Sequence, residues 1–132
     1  MLRLILASFV AGIALGCGGS GFTTVTGTVT YDGKPLDNGY VTIIPDGPGE
    51  SASGQIGSDG KFTLTTFRPD DGVKPGNYKV RIASYKSEAK MNDPTSGKPA
   101  IPDKYFDAAK SGLTVVIENK STQTLELNLL KE

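Results

Sequence analysis

The chain of 132 residues has no histidine, no tryptophan and a single cysteine, and its 14 Lys+Arg balance 14 Asp+Glu. Without histidine, neither imidazole general-base catalysis nor a histidine-ligated metal centre can be built. A lone cysteine allows no intramolecular disulfide. The balanced charge supplies no basic footprint for nucleic acid, and no charge-driven attraction to an anionic lipid surface. No Asp-x-Asp-x-Asp-Gly calcium run occurs, although a calcium site needs six to eight oxygen ligands. No glycine-rich phosphate cradle opens a helix either, and no pattern points to a cofactor.

What is present begins with an N-terminal address. Arg3 gives a short positive region, and residues 4–15 form an apolar run broken only by Ser8 and Gly12. A membrane span needs about 20 apolar residues, so this run fits a signal-peptide core instead. Ala14-Leu15-Gly16-Cys17 follows, and then Gly18-Gly19-Ser20-Gly21. Gly16 before Cys17 resembles a bacterial lipoprotein signal, although Leu15 stands one place later than the usual leucine. The resemblance implies cleavage after residue 16 and acylation of Cys17, which becomes the new N-terminus. Two or three acyl chains anchor a protein firmly, whereas one is marginal. The alternatives are secretory cleavage near Gly16 or Gly19, leaving a free thiol, and an uncleaved anchor.

The expected organisation is therefore a signal peptide over 1–16, a lipidated cysteine with a Gly/Ser tether over 17–21, and one domain over 22–132. Residues 18–21 reach about 14 Å when fully extended, which keeps the domain close to the membrane. The expected location is the cell envelope, facing the periplasm. Glycine after Cys17, in place of the inner-membrane retention aspartate of some enteric bacteria, leans towards the outer membrane.

Beyond residue 21 no apolar period of 3.6 is sustained. Period-2 alternation predicts strands over 23–31, 39–45, 52–58, 61–66 and 78–83, with two more around 113–117 and 125–129. Val25, Val29, Val41, Ile43, Phe62, Leu64, Val80, Ile82, Ile117 and Leu127 fall on inward faces, and threonines and lysines on outward ones. Asp32-Gly33 and Asp59-Gly60 mark hairpin turns. With no helix to cover an apolar sheet face, two sheets must cover each other. The fold class is all-β, a seven-stranded, antiparallel-rich sandwich. The exception is the stretch 86–111, about 26 residues with Pro94, Pro99 and Pro102 and a short helical turn expected over 102–109. Loops of that length are often either functional or mobile.

Val25-Thr26-Gly27-Thr28-Val29, Asp32-Gly33-Lys34-Pro35-Leu36, Gly39-Tyr40-Val41-Thr42-Ile43, Ser58-Asp59-Gly60-Lys61-Phe62 and Pro75-Gly76-Asn77-Tyr78 together resemble the carboxypeptidase regulatory-like domain. Ile101-Pro102-Asp103-Lys104-Tyr105 and Ser111-Gly112-Leu113-Thr114 are similar to small lipoproteins of planctomycete-type bacteria. The resemblance implies a transthyretin-like (prealbumin-like) sandwich, with Gly27 where the sheets approach. Hydroxyisourate hydrolases of that fold use histidines, so their activity does not carry over. Fold alone does not give function.

The candidate binding loop contains Tyr85, Tyr105 and Phe106, because exposed aromatic rings anchor protein contacts and stack on sugars. For Tyr105 and Phe106 the favoured reading is that they fold back over the open end of the sandwich, and binding is the alternative. Asp70, Asp71, Asp93, Asp103 and Asp107 read as solvated loop carboxylates. Asp103 and Asp107, one helical turn apart, are the only local pair for carboxylate hydrolysis. The leading expectation is a non-enzymatic, lipid-anchored module that binds an envelope protein or glycan, with no cofactor or metal. The alternatives are an accessory subunit of a separately encoded envelope enzyme or transport complex, and, more weakly, a small carboxylate hydrolase.

Overall fold

A computed structural model describes residues 21–69, 71–86 and 97–131. Cys17 and the signal segment lie outside the described residues, as do Asp70, Asp93 and Pro94. Strands β1 (Thr24–Tyr31), β2 (Lys34–Pro35), β3 (Tyr40–Pro45), β4 (Ala52–Gln55), β5 (Lys61–Thr63), β6 (Gly76–Ala83), β7 (Thr114–Ile117) and β8 (Thr122–Leu129) form two sheets. In the first, β1 is central: β8 lies along one edge, and β5 and β2 share the other. The second runs β4-β3-β6-β7, antiparallel throughout.

The alternation in the sequence places the core. Val25, Val29, Phe62, Leu125, Leu127 and Leu129 face inwards from the first sheet, and Val41, Ile43, Tyr78, Val80, Ile82 and Ile117 from the second. Thr24, Thr26 and Thr124 stay outside, where β-branching favours the pleat without adding a sticky surface. The protein is an all-β sandwich. All pairing is antiparallel except β1 with β8, which run parallel in register from Thr24↔Thr122 to Tyr31↔Leu129.

Asp32-Gly33 makes the expected two-residue turn. Both residues have positive φ, 52° and 81°, and Tyr31 pairs with Lys34 across it. This is the primed turn that matches strand twist. At Asp59-Gly60 the outcome differs. The chain does turn, with Gly60 at φ 82°, the Gly60 N–H on the Gly57 carbonyl at 2.9 Å and the Gly57 N–H on the Lys61 carbonyl at 2.8 Å. Yet β4 belongs to the second sheet and β5 to the first, so the two arms are a corner between sheets rather than a plain hairpin. Ser53 and Thr65 exchange both backbone bonds (3.0 and 2.9 Å) and hold that corner shut.

The close approach expected at Gly27 is of another kind. A Cβ there would strike the Phe62 ring, its cross-strand neighbour in the same sheet, and would lie 2.7 Å from the Leu125 carbonyl oxygen. The sheets themselves approach at Gly54, whose Cβ would run into the Thr63 carbonyl. Gly27→Ala is expected to cost about 1–3 kcal/mol by overpacking, measured as a lower urea midpoint. Gly47→Ala, in open space, should stay within about 0.5 kcal/mol; equal stability of the two variants would refute this packing.

Candidate functional surfaces at the two ends of the sandwich

Strand directions define two ends. Thr23 bonds to Val73 in both directions (2.7 and 2.8 Å), which puts the start of β1 beside the start of β6. Phe22 therefore lies at the end where both strands begin. The eight residues of β1 carry the chain about 25 Å to the opposite end. There β6 finishes at Ala83, opposite Tyr40, and β8 finishes at Leu129, opposite Tyr31.

That far end holds the aromatic loop. The long excursion closes at its neck: the Ala100 N–H bonds to the Ser84 carbonyl and the Lys86 N–H to the Lys98 carbonyl, both at 2.9 Å. Asn38 braces the near side. Its Oδ1 accepts from the buried Ser84 hydroxyl at 2.6 Å, and its Nδ2 donates to the Tyr85 carbonyl at 3.0 Å. Tyr85 is 46% exposed, and its ring meets Phe106 at 5.5 Å between centroids, tilted by 56°.

Tyr105 leaves the candidate binding trio and follows the fold-back reading instead. It is only 3% exposed and sits in the core. The 3₁₀ turn Asp103–Phe106 directs it inwards, and its hydroxyl accepts the Leu130 N–H at 2.9 Å. Its ring is therefore not offered to a ligand, while Phe106 packs half-buried against the core and Tyr85 remains outside. Ser111 pins the end of the loop, donating from its buried hydroxyl to the Val80 carbonyl at 2.5 Å.

The expected carboxylate pair does not share a helical turn. The 3₁₀ turn stops at Phe106, and Asp107 is already extended at φ −115°, ψ 118°. Its Oδ1 accepts the Ala109 N–H at 2.9 Å, and both Asp103 and Asp107 face solvent. Among the described residues no three acidic or cysteine side chains gather to hold a metal ion. A groove of about 680 Å³ along β1 and β5 is lined by Thr26, Thr28, Thr63, Thr65 and Thr124 among others, and Lys61 is its only ionisable group among the described residues.

At the near end a cleft of about 530 Å³ opens among Phe22, Pro45, Pro48, Phe67, Pro75 and Tyr78. Asp71 builds its rim. The carboxylate accepts the N–H groups of Thr66 (2.8 Å), Phe67 (2.7 Å) and Arg68 (2.9 Å). The Thr66 hydroxyl donates to the Gly72 carbonyl at 2.7 Å, and Gly72 at φ 87° lies against the Thr23 backbone. The sequence reading missed this brace, as it did Asn38 and Phe67; the turn dipeptide Asp71-Gly72 in the loop between β5 and β6 was the available signal.

No protein-family model, curated protein or solved structure matches the chain.

Desolvation pushes the Asp71 carboxyl up, but the Thr66, Phe67 and Arg68 N–H groups and its own outweigh it and hold the group below its ordinary value. A carboxyl lowered in the folded state contributes stability above its unfolded pKa, and that contribution fades as pH falls through the folded value. Solvent screens this partly exposed carboxylate, so Asp71→Asn should cost no more than about 1 kcal/mol at neutral pH, the scale of one charge-assisted bond made neutral. The cost should shrink on acidification below about pH 4. Urea denaturation of both chains across that range is the check; a difference independent of pH would contradict the brace.

Proposed function

We propose that this protein is a lipid-anchored, non-enzymatic envelope module that holds an aromatic contact surface away from the membrane for a protein or glycan partner. The observation that carries the reading is the placement of the two ends. The chain enters from Cys17 and its short tether beside Phe22, and the Tyr85–Phe106 pair lies at the opposite end. A sandwich with β1 at its centre is a stiff spacer between them.

Two further features support it. The Tyr85 segment is held from both sides by Asn38 and by the closed neck, so the exposed ring is pre-positioned, which lowers the cost of binding. The ionisable side chains near it are scattered rather than gathered into a reacting cluster: among the described residues Asp103 and Asp107 serve turns or face solvent. The likeness of the strand and turn motifs to carboxypeptidase regulatory-like domains belongs to the same reading, since such domains act as accessories.

The test has two parts in intact cells. Cys17→Ser should abolish incorporation of labelled fatty acid and move the chain to the soluble fraction. A photocrosslinking phenylalanine analogue placed at Tyr85 should trap a discrete partner, and the same analogue at Val116, exposed towards the other end, should not. Lipid incorporation that survives Cys17→Ser would refute the anchor. Turnover of an envelope substrate that survives purification and disappears with one carboxylate would refute the non-enzymatic role.

A further inference from the structure

The near end carries an arrangement that the display role leaves unused. Phe67 is 65% exposed, beside the Phe22 ring at 6.4 Å between centroids. Pro45, Pro48 and Pro75 extend the apolar surface around the same cleft. Exposed phenylalanines are commonly incidental, but this one is held in place. Asp71 takes the N–H groups of Thr66, Phe67 and Arg68, so the turn that lifts Phe67 into solvent is fixed from beneath. The paired backbones of Thr23 and Val73 fix the same loop to the point where the chain enters the domain.

We infer that this end is a membrane-contact surface, with Phe67 and its neighbours resting in the headgroup layer of the bilayer that the lipid on Cys17 enters. The inference rests on acylation of Cys17. Its occupant follows from chain length: Gly21 lines the cleft, and the four residues from Gly18 to Gly21 reach about 14 Å at most. A bilayer holding that lipid is therefore within reach of Phe22 and Phe67, whereas the Tyr85 end stands a sandwich length away. An aromatic ring suits the interface, and Arg68 and Lys74, both exposed, can extend their ammonium and guanidinium groups to phosphates while their stems lie along apolar matter.

Charge does not drive the contact. Asp46, Glu50 and Asp71 at the same end more than offset Arg68 and Lys74, and Lys120 is paired with Glu118 at 2.7 Å. The contact is accordingly apolar and gains nothing from anionic lipid. It orients the sandwich: one end down on the surface, the other held out.

The test uses the full acylated chain reconstituted in phosphatidylethanolamine–phosphatidylglycerol vesicles. Acylated Cys17 cannot take a thiol dye, so Phe67→Cys, Pro48→Cys and Leu130→Cys each give one labelling site for an environment-sensitive fluorophore. Leu130 is exposed at the far end. Labels at 67 and 48 should emit to the blue and lose intensity to lipids bearing a headgroup nitroxide, the label at 130 should do neither, and exchanging phosphatidylglycerol for phosphatidylcholine should weaken neither signal.

A water-like label at 67 and 48 on chains that carry fatty acid and sediment with the vesicles would overturn the surface and leave the anchor standing. So would a blue-shifted label that the nitroxide lipid does not quench, which marks a protein contact instead. Chains that carry no fatty acid and stay out of the vesicles would overturn the anchor, and with it this surface.

Discussion

The fold depends on one pairing, the parallel contact of its first and last strands. Thr24 lies beside Thr122, and the match continues residue by residue to Tyr31 and Leu129. Closing a loop of that size costs about 4 kcal/mol of chain entropy beyond a constant term, so the contact must be extensive to persist. It is: all eight residues of β1 take part, and Val25, Val29, Leu125, Leu127 and Leu129 bury their side chains beneath it. The other edge of β1 carries both β5 and β2, so the whole first sheet is organised on this strand. The same pairing fixes which features share an end, and hence separates Phe22 and Phe67 from Tyr85 and Phe106.

Pairing on one edge leaves another edge to be managed. The Thr24 N–H bonds to the Ser121 carbonyl and the Asp32 N–H to the Leu129 carbonyl, both at 3.0 Å. In a parallel ladder those two bonds set the parity: odd-numbered residues of β8 turn their peptide groups to β1, and even-numbered ones turn theirs outwards. The outward row ends at Leu130, and the Tyr105 hydroxyl covers it. On the edge strand β7 the Gln123 side chain does a similar job, accepting the Glu118 N–H and donating to the Val116 carbonyl, each at 2.8 Å. A primary amide has the donor and acceptor of a peptide unit, so it stands in for a neighbouring strand. Exposed strand edges invite unwanted pairing, and these two side chains shorten them.

Those edges explain what the sequence made legible. Alternation and turn chemistry are local, so the strand faces, the Asp32-Gly33 turn and the sandwich class could be read from single segments. The corner between β4 and β5 could not, because it depends on Gly54 admitting the Thr63 carbonyl from a different sheet. Tyr85, Tyr105 and Phe106 looked equivalent in a proline-rich loop. Their separation into an exposed ring, a core ring and a half-buried ring follows from the phase of a single 3₁₀ turn and from the position of Leu130. Asp71 resembled its loop neighbours until its carboxylate was seen beneath three N–H groups. The lone cysteine remains a reading of sequence, since Cys17 lies outside the described residues.

The proposed role as an anchored spacer needs a rigid axis, and β1 with its parallel neighbour supplies one. Amide hydrogen exchange along β8 tests this most directly. The N–H groups of Gln123, Leu125, Leu127 and Leu129, which face β1, should exchange only on the timescale of global unfolding. Those of Thr124, Glu126 and Asn128, on the outward row, should exchange far faster. Protection without alternation, or fast exchange along the whole strand, would contradict the pairing on which the fold and its two ends depend.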